Sequence, residues 1–135
     1  MIPLQIHGDE RGSLVVFEDN KNIPFDIKRV YYIFDTKKGV VRGKHAHKNL
    51  KQIAICLRGS CKFLLDNGKE RYTFELNSPF MGLFMEGLLW REMFDFSEDC
   101  VLLILASDYF NEQDYIRDYD EFLRLTKSAK DETSK

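Results

Sequence analysis

The stretch GVVRGKHAHKNLKQIAICLRG, residues 39 to 59, constrains this chain most. Its second half, KQIAICLRG, is an apolar run rich in β-formers that ends on Gly59, and it reads as a strand. Its first half sets His45 and His47 two apart in what also reads as strand. Residues i and i+2 of a strand share a face, so the two imidazoles project together, on the side that carries Gly43. Arg42 and Lys44 fall on the other face unless a bulge near Gly43 re-aims them. Two imidazoles side by side in a cavity can bind a metal, share a proton or position a substrate.

Much of the remaining chain reads as short strands separated by turns. LVVFE (14–18), KRVYYIFD (28–35), GLFM (82–85) and CVLLILAS (100–107) are the further strand candidates. CKFLLDNGKERYTFEL predicts a hairpin with a tight turn at Asn67-Gly68, where both residues tolerate positive φ. The end differs: DYIRDYDEFLRLTKS places Tyr115, Ile116, Tyr119, Phe122 and Leu123 at helical spacing. One short C-terminal helix is predicted, with a frayed polar tail from about 126 to 135. Many short strands followed by one helix predict a single all-β domain, residues 1–135, built as a sandwich or barrel.

Composition narrows the partners. With 135 residues, 44% of them hydrophobic, the chain can bury a real core. A formal net charge of −2 gives no general basic field for nucleic acid or an anionic membrane. An anionic ligand therefore needs a local cluster of Arg and Lys. No apolar run approaches the roughly 20 residues of a membrane span. MIPLQIHGDERG lacks the sections of a signal peptide, so a cytoplasmic protein is expected. Cys56, Cys61 and Cys100 sit in apolar strand-like contexts without CxxC spacing and read as buried reduced thiols.

The spacing Gly39, five residues, His45-Ala46-His47, four residues, Gln52, six residues, Gly59 resembles the first sequence motif of the cupin superfamily. That resemblance implies a cupin jelly-roll β-barrel. One position departs: Gln52 stands where metal-binding cupins carry Glu. The second cupin motif supplies a final His ligand, and in SPFMGLFMEGLLWREM the corresponding residue is Arg91. A guanidinium has no lone pair to ligate a metal, and Gln52 removes an anionic ligand. Neither a metal nor another cofactor is expected.

The runs IPFDIKRVYYIFDT, RGKHAHK, GLLWREM and LASDYFNEQDYIRDYDEF are similar to the sugar 3,4-ketoisomerases of that superfamily, from Asp9 to about Phe122. The resemblance implies an enzyme that converts dTDP-4-keto-6-deoxyglucose to its 3-keto isomer. The product would feed the synthesis of 3-amino-3,6-dideoxy sugars for surface polysaccharide. It also implies a homodimer in which N-terminal strands pair with the partner's sheet. Moving a ketone from carbon 4 to carbon 3 needs a base at carbon 3, an enediolate and reprotonation at carbon 4. A neutral imidazole suits both proton transfers, and fixed cationic donors suit the oxyanion. The resemblance assigns His45 as the base. His47 would relay the proton or hold the hexose oxygens, and Tyr31 would bind the sugar or relay a proton. Arg29, Arg42, Gln52, Arg91, Arg11 and Trp90 are the candidate substrate-binding residues. Arg11 and Arg91 fall where enzymes giving gluco and galacto products differ; this sequence mixes the two patterns, with a lean to galacto. Two other readings stay open: a cupin epimerase acting on the same substrate, and a sugar-binding cupin without turnover.

Overall fold

The computed structural model describes residues 1–133. In chain order the strands are β1 (Ile2–Pro3), β2 (His7–Asp9), β3 (Gly12–Leu14), β4 (Arg29–Phe34), β5 (Arg42–His47), β6 (Gln52–Arg58), β7 (Cys61–Asp66), β8 (Arg71–Leu76), β9 (Met81–Met85), β10 (Trp90–Phe94), β11 (Val101–Ala106) and β12 (Tyr115–Ile116). Helix α1 (Tyr119–Thr133) follows. Over these residues the strands form two five-stranded antiparallel sheets, β1-β9-β6-β11-β4 and β12-β5-β10-β7-β8. The β2–β3 hairpin stands apart as a two-stranded ribbon. This is the all-β, jelly-roll arrangement that the resemblance to the cupin motif implies.

Three apolar layers hold it. The space between the sheets is filled by inward residues of both, including Ala54, Phe63, Leu65, Met85, Met93, Leu102 and Ile104. The outer face of β6 and β11, with Ile53, Ile55 and Leu105, is covered by Leu4, Ile23 and Phe25 from the N-terminal segment. Residues 52–56 of β6 are therefore buried without interruption, which explains why its sequence is apolar on both faces instead of alternating. The outer face of the second sheet, Ala46, Trp90 and Ile116, is covered by Phe122 of α1. Asp118 starts the helix: its side chain accepts from the Asp120 N–H at 2.9 Å and its carbonyl from the Phe122 N–H at 3.0 Å.

Several local expectations are corrected. LVVFE is not a strand beyond Leu14; β3 ends there, and residues 15–18 lead into the covering segment. WREMF, not anticipated as a strand, forms β10 at the centre of the second sheet. The hairpin turn spans residues 67–70. Gly68 has φ of 91° and Asn67 is not left-handed, because the Asn67 side chain accepts from the Lys69 and Glu70 N–H groups instead. Tyr115 and Ile116 are strand, paired with His47 and Ala46, and not helix. Pairing with β5 takes precedence over the helical spacing there. The expected tail from 126 overlaps α1, which runs to Thr133; residues 134–135 lie outside the described residues.

Phe122 is fully buried against Trp90 and Tyr119, with ring centroids 5.8 and 5.7 Å away. Phe122→Ala removes the main contact between α1 and the sheet. Urea unfolding followed by circular dichroism should show a loss of about 3–5 kcal/mol.

Candidate active site

Strand β5 is locally bent before it delivers its histidines. Gly43 and Lys44 are both left-handed, with φ of 83° and 55°. Opposite them the register moves from Arg91↔His45 to Glu92↔Gly43, so Lys44 is an extra residue in β5. A Cβ on Gly43 would sit 3.0 Å from the Arg91 carbonyl oxygen, so that approach requires glycine. The alternation expected through residues 42–47 is therefore shifted by one residue at Lys44. His45 and His47 nevertheless come together, with ring centroids 4.8 Å apart and nearly perpendicular.

His47 is the more firmly held. Its Nδ1 lies 3.0 Å from Asp114 Oδ2, while Asp114 Oδ1 accepts from the backbone N–H groups of Lys48 and Asn49, each at 3.0 Å. A carboxylate so placed takes the Nδ1–H of a neutral imidazole, which leaves Nε2 as the free lone pair. Nε2 is buried and has no hydrogen-bond partner among the described residues. Tyr115 packs on both rings, 5.0 Å from His45 and 4.4 Å from His47. The Arg117 guanidinium lies over the Tyr115 ring, 4.4 Å from its centre, and is itself paired with Glu112 at 2.9 Å.

The third part of the site is a chain of neutral acceptors around a buried cation. Arg91 is 2% exposed. Its Nη1 donates to Gln52 Oε1 at 2.6 Å and its Nη2 to the Leu89 carbonyl at 3.1 Å. Gln52 in turn donates from Nε2 to the Tyr31 hydroxyl at 3.2 Å. Among the described residues no carboxylate forms an ion pair with Arg91, and its Nε has no partner. Burial brings the guanidinium down to about 10, which still leaves it charged at neutral pH. Arg29 extends the positive side of the site, its guanidinium 5.5 Å over the Tyr31 ring.

These charges act on the histidines. Burial lowers His45 to about 4, and the positive charges of Arg91 and Arg117 add to that shift. Burial likewise lowers His47 to about 2, with Arg91 as the next contributor. Tyr31 is raised by burial, against the opposing bond from Gln52 and the nearby Arg29. At neutral pH both imidazoles are therefore uncharged and the phenol is protonated.

Of the residues singled out in the sequence, His45, His47, Tyr31, Arg29, Gln52 and Arg91 are brought together. Three are not. Trp90 is adjacent to Arg91 on β10 and so faces the opposite side; it packs against α1 and donates to Glu92 Oε2 at 3.0 Å. Arg42, opposite Met93, is exposed, and its side chain makes no hydrogen bond or ion pair among the described residues. Arg11 lies in the exposed ribbon, doubly bonded to Asp9 at 2.6 and 3.1 Å. Sequence reasoning missed Asp114 and Tyr115. Both lie in DYIRDYD, whose helical spacing hid a two-residue strand that pairs with the histidine strand.

The barrel, its paired histidines and its buried Arg91 define a cupin-type protein. Residues 1–127 match the family model described as FdtA: WxcM-like, C-terminal. A TDP-4-oxo-6-deoxy-alpha-D-glucose-3,4-oxoisomerase from Aneurinibacillus thermoaerophilus is 59% identical over 114 residues, which are 84% of this chain and 82% of that one. A solved 3,4-ketoisomerase from Helicobacter canadensis is 50% identical with a TM-score of 0.90, over 93% of this chain and 94% of that one. A His-to-Asn mutant of the 3,4-ketoisomerase from Thermoanaerobacterium thermosaccharolyticum, in complex with TDP-4-keto-6-deoxyglucose, is 49% identical. Its TM-score is 0.92, over 94% of this chain and 92% of that chain. This chain belongs to the FdtA, WxcM-like family.

The depressed histidines set a pH dependence. An unfolded imidazole takes a proton near pH 6.5, whereas folded His45 resists until about pH 4. Below pH 6.5 the unfolded state thus binds more protons, and stability falls as pH falls. Denaturation midpoints should drop between pH 6.5 and 4. The ring signals of His45 and His47, followed by NMR, should stay in the neutral form down to pH 5. A titration of either ring near pH 6.5 would refute the burial argument.

Proposed function

We propose that this chain is a sugar-nucleotide 3,4-ketoisomerase, an enzyme that converts TDP-4-keto-6-deoxyglucose to the 3-keto isomer through an enediolate. The observation that carries this reading is two neutral, neighbouring imidazoles beside a buried guanidinium without a carboxylate partner. The 59% identical oxoisomerase and the ketoisomerase solved with TDP-4-keto-6-deoxyglucose support the substrate.

The chemistry follows from the charges. His45 takes the proton from carbon 3, and the electron pair moves onto the carbonyl oxygen at carbon 4. An isolated imidazolium is penalised here, but the pocket's net charge is unchanged when the proton moves from substrate to His45. The new oxyanion lies in the field of Arg91, held ready by Gln52. The low pKa of His45 then drives the proton back, to carbon 4, while a proton passes between the two sugar oxygens. His47 Nε2 and the Tyr31 hydroxyl are the groups for that transfer. Asp114 is a positioning residue: it holds the proton of His47 on Nδ1 and so leaves the lone pair on Nε2. Arg29 supplies positive charge for the pyrophosphate. The product has the ketone an aminotransferase needs to form a 3-amino-3,6-dideoxy sugar for surface polysaccharide, in the cytoplasm.

The site is completed in a homodimer. The cavity beside His47 and Arg29 holds about 100 Å³, against roughly 300–1,000 Å³ for ligand pockets. The β2–β3 ribbon is exposed along its whole length, and the outer strand β4 exposes Val30, Tyr32 and Phe34 in a stripe. Pairing of the N-terminal strands with a partner's sheet covers that stripe and carries Arg11 toward the partner's site. Among the described residues no helix is long and apolar enough to cross a membrane.

Turnover of TDP-4-keto-6-deoxyglucose in deuterated water, read by NMR, should give a 3-keto product with deuterium at carbon 4. Exchange at carbon 5 would mean an epimerase, and no exchange a binding protein. His45→Asn should abolish turnover while TDP still binds. Asp114→Asn should lower kcat by about 10²-fold or more with little change in KM. The same variant should shift the His47 tautomer seen by ¹⁵N NMR, which a purely structural role would not do. Light scattering should report about twice the 15.9 kDa chain mass; a monomer with full activity would refute the shared site.

A further inference from the structure

All three cysteines of the chain meet at one point. Cys56 comes from β6, Cys61 from the start of β7 and Cys100 from the residue before β11. Their sulfurs lie within 4.8 Å of one another, and the Cys56–Cys100 separation is 3.8 Å. They are free thiols, at 0%, 1% and 4% exposure. The cluster is separate from the histidine site. Cys56 is four residues beyond Gln52 on β6, about 13 Å at 3.3 Å per residue. The two residues point into the same barrel, one near each end.

We propose that Cys56, Cys61 and Cys100 form a three-sulfur site for a soft, thiophilic ion, best matched by trivalent arsenic. Three geometric and chemical facts lead there. Around an ion with bonds of about 2.3 Å, three sulfurs in a plane stand about 4.0 Å apart, and closer when the ion sits above them. The observed cluster reaches that spacing by shifts of under about an ångström, without moving a strand. Its surroundings are mainly apolar: Ala54, Phe63, Met93 and Leu102 share its core, and the Arg58 carbonyl oxygen lies 3.1 Å from the Cys56 sulfur. The nearest carboxylate in sequence, Asp99, is turned to the Ser97 hydroxyl at 2.8 Å and to Arg58 at 3.7 Å. A tetrahedral zinc site takes a fourth His, Cys or carboxylate ligand, and among the described residues none joins the three sulfurs.

Charge selects among soft ions. Three thiolates with a monovalent ion leave two negative charges in an apolar core, and with a divalent ion one, which burial opposes. With trivalent arsenic the complex is neutral. The step is a condensation: As(OH)₃ and three thiols give As(SR)₃ and three waters. Three As–O bonds and three S–H bonds break, three As–S and three O–H bonds form, and no oxidation state changes. The thiols are also primed unequally. Hydrogen bonding from Cys61 lowers the Cys56 thiol, whose Sγ also lies 3.1 Å from the Arg58 carbonyl oxygen. Burial raises Cys100 to about 12. Phe96, which packs on the same core, also lines a surface cavity of about 480 Å³ with Thr36 and Lys37.

The test uses freshly reduced full-length protein, incubated with arsenite, desalted and weighed by native mass spectrometry. One arsenic per chain, with loss of three hydrogens, is expected. Cys56→Ala, Cys61→Ala and Cys100→Ala should each retain less than about a tenth as much, since two sulfurs lose the third attachment. Arsenite should also raise the melting temperature of the wild type, a readout that does not depend on the variants folding. Absence of retained arsenic and of any melting shift in the wild type overturns the proposal. So does equal retention by the variants, or a loss of two hydrogens in place of three, which would mark a dithiol site.

Discussion

Arg91 carries a permanent cation into the barrel and is met there by an amide, a carbonyl and a thioether, not by a carboxylate. Removing a charge from water is costly unless it is paired or well hydrogen-bonded. The Gln52 carbonyl and the Leu89 carbonyl offset part of that cost without neutralising the charge. A Glu at position 52 would have closed the pair and discharged the field. Gln52 instead spends its other end on Tyr31, so one side chain fixes both the guanidinium and the phenol. The neutral state of the histidines depends on the same cation, which adds to burial in holding both imidazoles unprotonated.

The barrel makes this arrangement rigid by drawing its parts from distant segments. Tyr31 comes from β4, the histidines from β5, Gln52 from β6, Arg91 from β10, and Asp114 with Tyr115 from the segment entering β12. The central strands are covered on both faces, by the N-terminal segment on one sheet and by α1 on the other. The polar site sits within this packed frame. Under the proposed chemistry the electrostatic work is done before substrate arrives, because the donors are fixed by neighbours with no role in the reaction.

Parts of this were legible in the residues. Strand alternation carried the joint projection of His45 and His47, and the likeness of Gly39–Gly59 to the cupin motif carried the barrel and the place of Gln52. The apolar run of β6 and the strand of β4 stood out because β-branched and aromatic residues pack well on a pleated surface. β10 was hidden because its inward residue is a charged Arg91 and its outward residue an apolar Trp90, the reverse of the usual pattern. Asp114 was hidden because a hydrogen bond spanning 67 residues leaves no local signal. DYIRDYD misled because its apolar spacing suits a helix, and only pairing with His47 and Ala46 makes its first part a strand.

The sequence by itself determined an all-β domain and the pair of imidazoles, which follow from periodicity and residue type, and its likeness to the cupin motif marked Gln52 as a neutral residue in place of an anionic one. Tertiary structure alone decided that Arg91 is buried rather than solvated, that Trp90 turns to the helix, that Asp114 clamps His47, and that three scattered cysteines converge. Each depends on which strands lie side by side, and strand order is set by the packing of the whole barrel, not by any local run of residues.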